Sequence, residues 1–286
     1  MGSVPSVAWA FSPLDEELAL LPGCLTPHAH ECLVRLGTWI PFGKSARMMA
    51  EILQVEVSPA TSRRYTEAAG AAYEAVQSDE VERIERSVPP APTGAAKQMF
   101  SVDGAMVPLV KGEWAEVKTL VVGEVSSSQQ NDGSQIAHTG QLSYFSRLTD
   151  ADSFNRLALV ETHRRGLETA QQVAAIVDGA EWIQGFIDTH RPDAVRILDF
   201  PHAAQRIGQI SQLVFGEDED QWLRHQLHTL KHEGPKDVLT ELERLEQSHP
   251  DQPVIAENLA YLKKRQAQMQ YPTYQSDGWP IGSGSV

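Results

Sequence analysis

The chain has 286 residues, 41% of them hydrophobic, and a formal net charge of −14, which suits one large domain plus a smaller one around a sizeable core. The acidic balance argues against a protein that coats nucleic acid by bulk electrostatics, because neutralising phosphates needs clustered lysine and arginine. No run approaches the ~20 consecutive apolar residues of a membrane span, and the N-terminus lacks a basic segment ahead of an apolar one, so we expect a cytoplasmic protein without membrane contacts.

Three stretches of helical periodicity open the chain, at residues 28–37, 45–53 and 58–76. Ser58 and Pro59 start the third, since serine caps a helix N-terminus and proline fits the first turn. A helix, a short connector and a second helix with polar and basic residues near its N-terminus are typical of a DNA-binding helix-turn-helix. The alternative is a plain helical bundle with solvated arginines. The residues expected to contact DNA are Lys44, Arg47, Ser62, Arg63 and Arg64.

A proline-rich segment at residues 87–94 predicts a semi-rigid linker to a strand-rich region. Alternating or β-branched runs at 99–103, 114–125 and 142–148 predict three strands in an antiparallel meander. The stretch 126–140 is polar, contains glycine and shows no periodicity, so it predicts an exposed loop.

Behind these strands the pattern becomes that of an α/β protein. Asp150 is placed to cap a helix that runs to about residue 169. Nearly continuous apolar runs at 173–177 and 194–198, joined by a short helix at 182–187, indicate parallel strands buried on both faces. After Pro201 the chain is predicted to be helical almost to Met269, in four segments broken near Gly216, Gly234 and residue 250.

Three predicted strands each end in an aspartate: Asp103, Asp178 and Asp199. Sites in open α/β sheets form outside the carboxyl ends of parallel strands, so Asp178 and Asp199 should share one rim. Asp103 joins them if its strand lies centrally between theirs. Carboxylate oxygens suit magnesium, and two such ions can drive an in-line displacement at a phosphodiester. The alternative is that each Asp-Gly pair is an ordinary turn.

Six segments in order resemble one family: residues 13–18, 101–106, 114–118, 177–184, 197–203 and 278–284. Together they resemble bacterial insertion-sequence transposases of the Kra-type group, which are relatives of the Mutator-like enzymes with an acidic catalytic triad. The resemblance implies an RNase H-like catalytic core with an all-helical insertion, preceded by a small helix-turn-helix domain. The boundaries it suggests are 1–86 for the N-terminal helices, 87–97 for the linker, 98–200 for the core, 201–275 for the insertion and 276–286 for the start of the final core segment.

The resemblance also implies roles for the aspartates. Asp103 and Asp178 match the catalytic, metal-binding pair, and Asp199 with His202 matches an accessory signature. Whether Asp178 or Asp199 is the second ligand stays open. The implied cofactor is Mg²⁺ or Mn²⁺, with two ions in the complete enzyme. The implied partner is DNA, as transposon ends and target, bound by a homo-oligomer.

In the family a glutamate follows the Gly-Ser-Gly segment, whereas this chain stops at Val286. We therefore expect a truncated transposase with little or no cleavage and strand-transfer activity. One alternative is a non-catalytic DNA-binding protein that occupies transposon ends. A weaker one is a metal-dependent phosphodiesterase that uses Asp103, Asp178 and Asp199.

Overall fold

A computed structural model describes residues 25–109, 112–129, 135–216 and 219–283. The chain divides into two compact units, Met1–Glu80 and Val81–Val286. None of the described helices combines the length and the apolar character needed to cross a bilayer.

The first unit contains the predicted helices. They are α1 (Pro27–Trp39), α2 (Phe42–Leu53) and α3 (Pro59–Ser87). Ser58 begins α3 as predicted, because its Oγ accepts a hydrogen bond from the amide of Thr61 at 3.0 Å. α3 continues to Ser87 rather than ending near residue 76, since neither glycine nor proline occurs between Gly70 and Pro89. Its residues from Val81 onward belong to the second unit.

A five-stranded mixed sheet forms the centre of the second unit. Its strands are β1 (Lys97–Pro108), β2 (Trp114–Gln129), β3 (Gln135–Arg147), β4 (Gln172–Val177) and β5 (Val195–Leu198), and their order across the sheet is β3-β2-β1-β4-β5. β1, β2 and β3 pair antiparallel, whereas β4 is parallel to both β1 and β5. The predicted meander and the two parallel strands are confirmed, and the protein is of the mixed α/β class.

The predicted loop at 126–140 is wrong for the residues that the structure describes. β2 continues to Gln129 and β3 begins at Gln135, with Ser126 opposite His138 in an antiparallel ladder. Strand pairing uses main-chain groups, so a two-stranded ribbon that projects into solvent tolerates polar side chains on both faces. Hydrophobic periodicity reports burial and therefore misses such a ribbon.

Helices cover both faces of the sheet. On one face lie α4 (Ala151–Leu157), α5 (Leu159–Arg164) and α6 (Glu181–His190), which pack with the last turns of α3 against even-numbered residues of β1 such as Phe100. Asp150 caps α4 through its Oδ1, 2.9 Å from the amide of Ser153. The helix expected to reach residue 169 is instead interrupted at Ala158.

The other face is covered by the helical segment that follows β5. It contains α7 (Phe200–Phe215), α8 (Glu219–His232), α9 (Pro235–Ser248) and α10 (Pro253–Lys264), then a 3₁₀ turn (Gln266–Met269) and α11 (Tyr271–Ser276). The four predicted helices and their breaks are confirmed. Gly216 and Gly234 have φ values of 59° and 96°, a conformation that glycine adopts without a steric penalty.

The predicted linker is attached to the second unit. Thr169 donates its hydroxyl to the carbonyl of Pro92 and accepts the amide of Gly94 at 2.8 Å. A Cβ on Gly94 would come within 2.2 Å of the carbonyl oxygen of Gly166. Residues 92–94 therefore lie in close backbone contact with the loop at 166–170 and do not form a free spacer.

Candidate functional site

The three aspartates occupy one level across the parallel strands. Val177 of β4 pairs with Leu198 of β5, so one further residue on each strand brings Asp178 beside Asp199. β1 and β4 pair through Phe100 and Ala175, and the same register continued by three residues brings Asp103 beside Asp178. We call Asp103, Asp178 and Asp199 the carboxylate row.

The strand at the centre of the row is not the one expected. β4, which ends just before Asp178, lies between β1 and β5. Asp103 also does not end its strand, because β1 runs on to Pro108 in antiparallel contact with β2. Asp178 and Asp199 do follow the last residues of parallel strands, as predicted.

Asp103 is a half-buried carboxylate in a negative environment. Burial raises the pKa of its carboxyl group above the usual value, and the charges of Asp178 and Asp199 raise it further. The amide of Gly104, 2.7 Å from Oδ1, and His202 lower this pKa. Oδ2 of Asp103 makes no hydrogen bond with a described residue, so it is open to a ligand.

Asp178 has a similar arrangement at the start of α6. Its Oδ1 accepts the amide of Ala180 at 2.8 Å, and its side chain makes no other hydrogen bond with the described part of the chain. The turn behind it is fixed from the end of α10: Tyr261 of that helix donates its hydroxyl to the carbonyl of Asp178, and Arg265, the residue after the helix, donates Nε to the carbonyl of Gly179 at 2.9 Å. The orientation of Asp178 therefore depends on residues more than 80 positions away.

Asp199 differs from the other two members of the row. It is only 3% exposed, and protein donors contact both of its oxygens. The amide of Ser283 donates to Oδ1 at 2.8 Å, while the hydroxyl of Ser283 and Nδ1 of His202 lie 3.0 and 2.9 Å from Oδ2. One oxygen of Asp178 therefore makes no hydrogen bond to a described residue, whereas both oxygens of Asp199 already accept hydrogen bonds from the protein.

Basic and aromatic side chains from the helical segment lie next to this turn. The guanidinium carbon of Arg206 is 4.4 Å from the ring centroid of Tyr261, and that of Arg265 is 3.9 Å away. Arg206 follows His202 by one turn of α7 and donates to Asn258 at 3.1 Å, but forms no ion pair within the described residues. The sequence reasoning missed Arg206, Tyr261, Arg265 and Ser283. For Arg206, one local feature could have been used: it follows His202 by four residues, so the two side chains lie on the same side of a helix.

A closed metal centre is not formed by the described residues. Among them, no group of three or more His, Cys, Asp or Glu side chains is placed to hold a metal ion. Asp103 and Asp178 together offer two hard oxygen ligands. That set fits Mg²⁺ or Mn²⁺ bound with waters and substrate oxygens, because these ions accept partial protein coordination.

The predicted DNA-contacting residues lie in the first unit. Lys44, Arg47, Arg63 and Arg64 are exposed, with Arg63 3.6 Å from Glu67. Ser62 is fully buried and donates its hydroxyl to that of Ser45 at 3.1 Å, so it joins α3 to α2 rather than facing solvent.

Comparisons with models of protein families and with curated proteins found no match to this chain. Of the segments that carry the family resemblance, residues 13–18 lie outside the described part of the chain, as does residue 284 at the end of the last one.

Replacing Gly179 with alanine should destabilise the second unit. Gly179 has a φ of 82°, and a Cβ there would lie 2.2 Å from Nε of Arg265. The backbone conformation alone costs a non-glycine residue about 1–3 kcal/mol. We expect a loss of that size in the free energy of unfolding, measured by urea denaturation.

Gly185→Ala is the matched control. Gly185 lies within α6, and a Cβ at this position would meet no neighbouring group within 4 Å. Alanine there should leave the free energy of unfolding unchanged or raise it by up to about 1 kcal/mol. If the two variants unfold with equal free energies, the contacts of Tyr261 and Arg265 do not fix the Asp178–Gly179 turn.

Proposed function

We propose that the second unit is an RNase H-like core that carries out metal-dependent phosphoryl transfer on DNA, the chemistry of insertion-sequence transposition. The observation that carries this proposal is the carboxylate row at the ends of β4 and β5. The element order supports it: three antiparallel strands, then helices and two parallel strands, then an all-helical segment, as the family resemblance implies. The partners would be transposon ends and target DNA, bound by a homo-oligomer.

Asp103 and Asp178 are the residues that would hold Mg²⁺ or Mn²⁺. In each, a backbone amide binds Oδ1 and orients the carboxylate, and Oδ2 has no hydrogen bond to a described residue. Metal ions bound there would supply activation of a water or a 3′-hydroxyl and stabilisation of the leaving oxygen. Burial raises the pKa of Asp103 most, and the like charges of Asp178 and Asp199 raise it further; a divalent cation would relieve this repulsion.

Arg206 is the residue that would contact a phosphate. Its guanidinium is stacked on Tyr261, and the hydroxyl of Tyr261 binds the carbonyl of Asp178, so Arg206 lies beside the metal-binding turn. One of its nitrogens donates to Asn258. The remaining donors match the forked geometry with which arginine binds phosphate oxygens.

Asp103→Asn and Asp178→Asn should each weaken Mn²⁺ binding by the full chain. Each change removes a negative charge from a site with two open carboxylates, so we expect the dissociation constant to rise roughly tenfold or more. Isothermal titration calorimetry measures it. Asp152→Asn, an exposed aspartate of α4, is the control and should bind Mn²⁺ like the unchanged chain. Unaltered affinity in both site variants would refute the metal assignment.

Arg206→Ala should make DNA binding less sensitive to salt. A single lost phosphate contact reduces the slope of log affinity against log salt concentration by about 0.7–0.9. Fluorescence anisotropy with a short labelled duplex, measured from low to moderate salt with Mn²⁺ present, gives the slope. Arg156→Ala is the control, because that arginine is already paired with Glu85 at 2.6 Å, and it should keep the original slope. A slope unchanged by Arg206→Ala would remove this residue from the substrate site.

A second candidate function is DNA binding by the first unit. The observation that favours it is the crossing of α2 and α3, where Ser45 and Ser62 hydrogen bond. Lys44 and Arg47 flank this crossing on α2, and Arg63 and Arg64 follow it on α3, all four exposed. The two helices are joined by a short connector, Gln54–Ser58, which is slightly longer than the roughly three- or four-residue turn usual in a helix-turn-helix. Such a unit could bind transposon ends without catalysis.

Replacing Arg63 and Arg64 together with alanine should weaken DNA binding. The slope of log affinity against log salt concentration should fall by about 1.4–1.8, the value expected for the loss of two phosphate contacts. Gel-shift and anisotropy titrations with end-containing DNA measure this. Arg35→Ala is the control, since that arginine pairs with Glu31 within α1. If the unit acts independently of the catalytic site, Asp103→Ala should leave this affinity intact. Full affinity of the double variant would exclude the basic face as the DNA contact.

A further inference from the structure

The segment Asp277–Ser283 crosses the second unit and is attached at both ends; we call it the strap. At its start, the ammonium group of Lys97 donates to the carbonyls of Asp277 and Gly278, the latter at 3.0 Å. The same group lies 4.0 Å from the ring centroid of Trp279, which is 5% exposed. The strap thus begins at the first residue of β1.

The far end of the strap is held by the end of β5. The carbonyl of Ile281 accepts the amide of Phe200 at 2.8 Å. Two residues later, Ser283 places both its amide and its hydroxyl on the carboxylate of Asp199. The strap therefore ends at the carboxylate row.

Asp199 is suited to this role by its environment. A buried carboxylate is costly unless hydrogen bonded, and bonds to an ionised acceptor are stronger than neutral ones. His202 and Ser283 supply three such contacts and occupy both oxygens. Its protein partners therefore already hold Asp199, whereas Asp103 and Asp178 each keep an oxygen with no hydrogen bond to a described residue.

We propose that Asp199 is a positioning residue: it binds Ser283 and so holds the end of the strap next to Asp103 and Asp178. His202 acts with it by orienting the carboxylate. This inference rests on the proposed function, because Asp103 and Asp178 are then the two members of the row that bind the metal ions.

Hydrogen–deuterium exchange on the full chain tests the proposal. Asp199→Ala removes every acceptor that holds Ser283, so the amide of Ser283, and that of Phe200, which donates to the strap at Ile281, should exchange about tenfold faster or more. Asp199→Asn keeps one acceptor oxygen and should show a smaller increase. Asp103→Ala is the matched control, a carboxylate of the same row that makes no hydrogen bond to the strap, and should leave these amides protected.

Ser283→Ala keeps Asp199 and its buried charge and removes a single hydroxyl donor. If Asp199→Ala raises exchange throughout the second unit, Ser283→Ala becomes the deciding variant. Faster exchange confined to the strap in Ser283→Ala supports the positioning role, and unchanged exchange in the strap overturns it. Strap amides that stay protected in Asp199→Ala also overturn it.

Mn²⁺ titration of the same variants separates this proposal from the proposed function. If Asp199 positions the strap and does not ligate the ions, Asp199→Asn removes no metal ligand, and the loss of Mn²⁺ affinity should be clearly smaller than the loss in Asp103→Asn. A loss as large as that in Asp103→Asn would make Asp199 a ligand and overturn the positioning role. If Asp103→Asn binds Mn²⁺ unchanged, the metal function fails, while the exchange results still decide whether Asp199 holds the strap.

Discussion

The parallel register of β1, β4 and β5 is the constraint on which the candidate site depends. Side chains alternate between the two faces of a strand, so a shift of one residue would move an aspartate to the opposite face. The register is specified strongly because both faces are buried: Phe100 lies in one core cluster and Met99 in the other. Ser101 adds a side-chain contact between the strands, donating to the carbonyl of Ile176 at 2.7 Å.

Placing three carboxylates at one level of the sheet creates electrostatic repulsion between them, and each carboxylate is stabilised in a different way. Asp199 is surrounded by donors from His202 and Ser283 and acts as part of the structure. Asp103 has its pKa raised by burial and by its acidic neighbours. The main-chain carbonyl of Asp178 accepts the hydroxyl of Tyr261 from α10, which holds the turn, and one oxygen of its carboxylate makes no hydrogen bond to a described residue. The row therefore divides into an anchored member and two members available to a cation.

A net charge of −14 would be unusual for the DNA-binding protein that we propose, and the local arrangement of charges accounts for this difference. Coulombic interactions beyond about 8–10 Å are screened at physiological salt, so a phosphate responds mainly to the side chains next to it. In the second unit Arg206 borders the carboxylate row without a carboxylate partner among the described residues. In the first unit four exposed basic residues flank the crossing of α2 and α3. The surface of the first unit can therefore be locally cationic, and Arg206 offers a phosphate a direct positive contact in the second unit, although the whole chain is acidic.

The sequence alone determined the local features of this protein. Periodicity located the five strands and most of the helices of the described chain, though not all of their ends, and glycines at 216 and 234 located two helix breaks, because these signals act within a few residues. It also placed Asp178 and Asp199 at strand ends. Tertiary structure decided what depends on contacts distant in sequence. Strand pairing extended the β2–β3 ribbon through a polar stretch, and helix packing buried Ser62. Only the folded chain brings Ser283 to Asp199, 84 residues earlier, because no pattern within a window of sequence records which groups a buried carboxylate will meet.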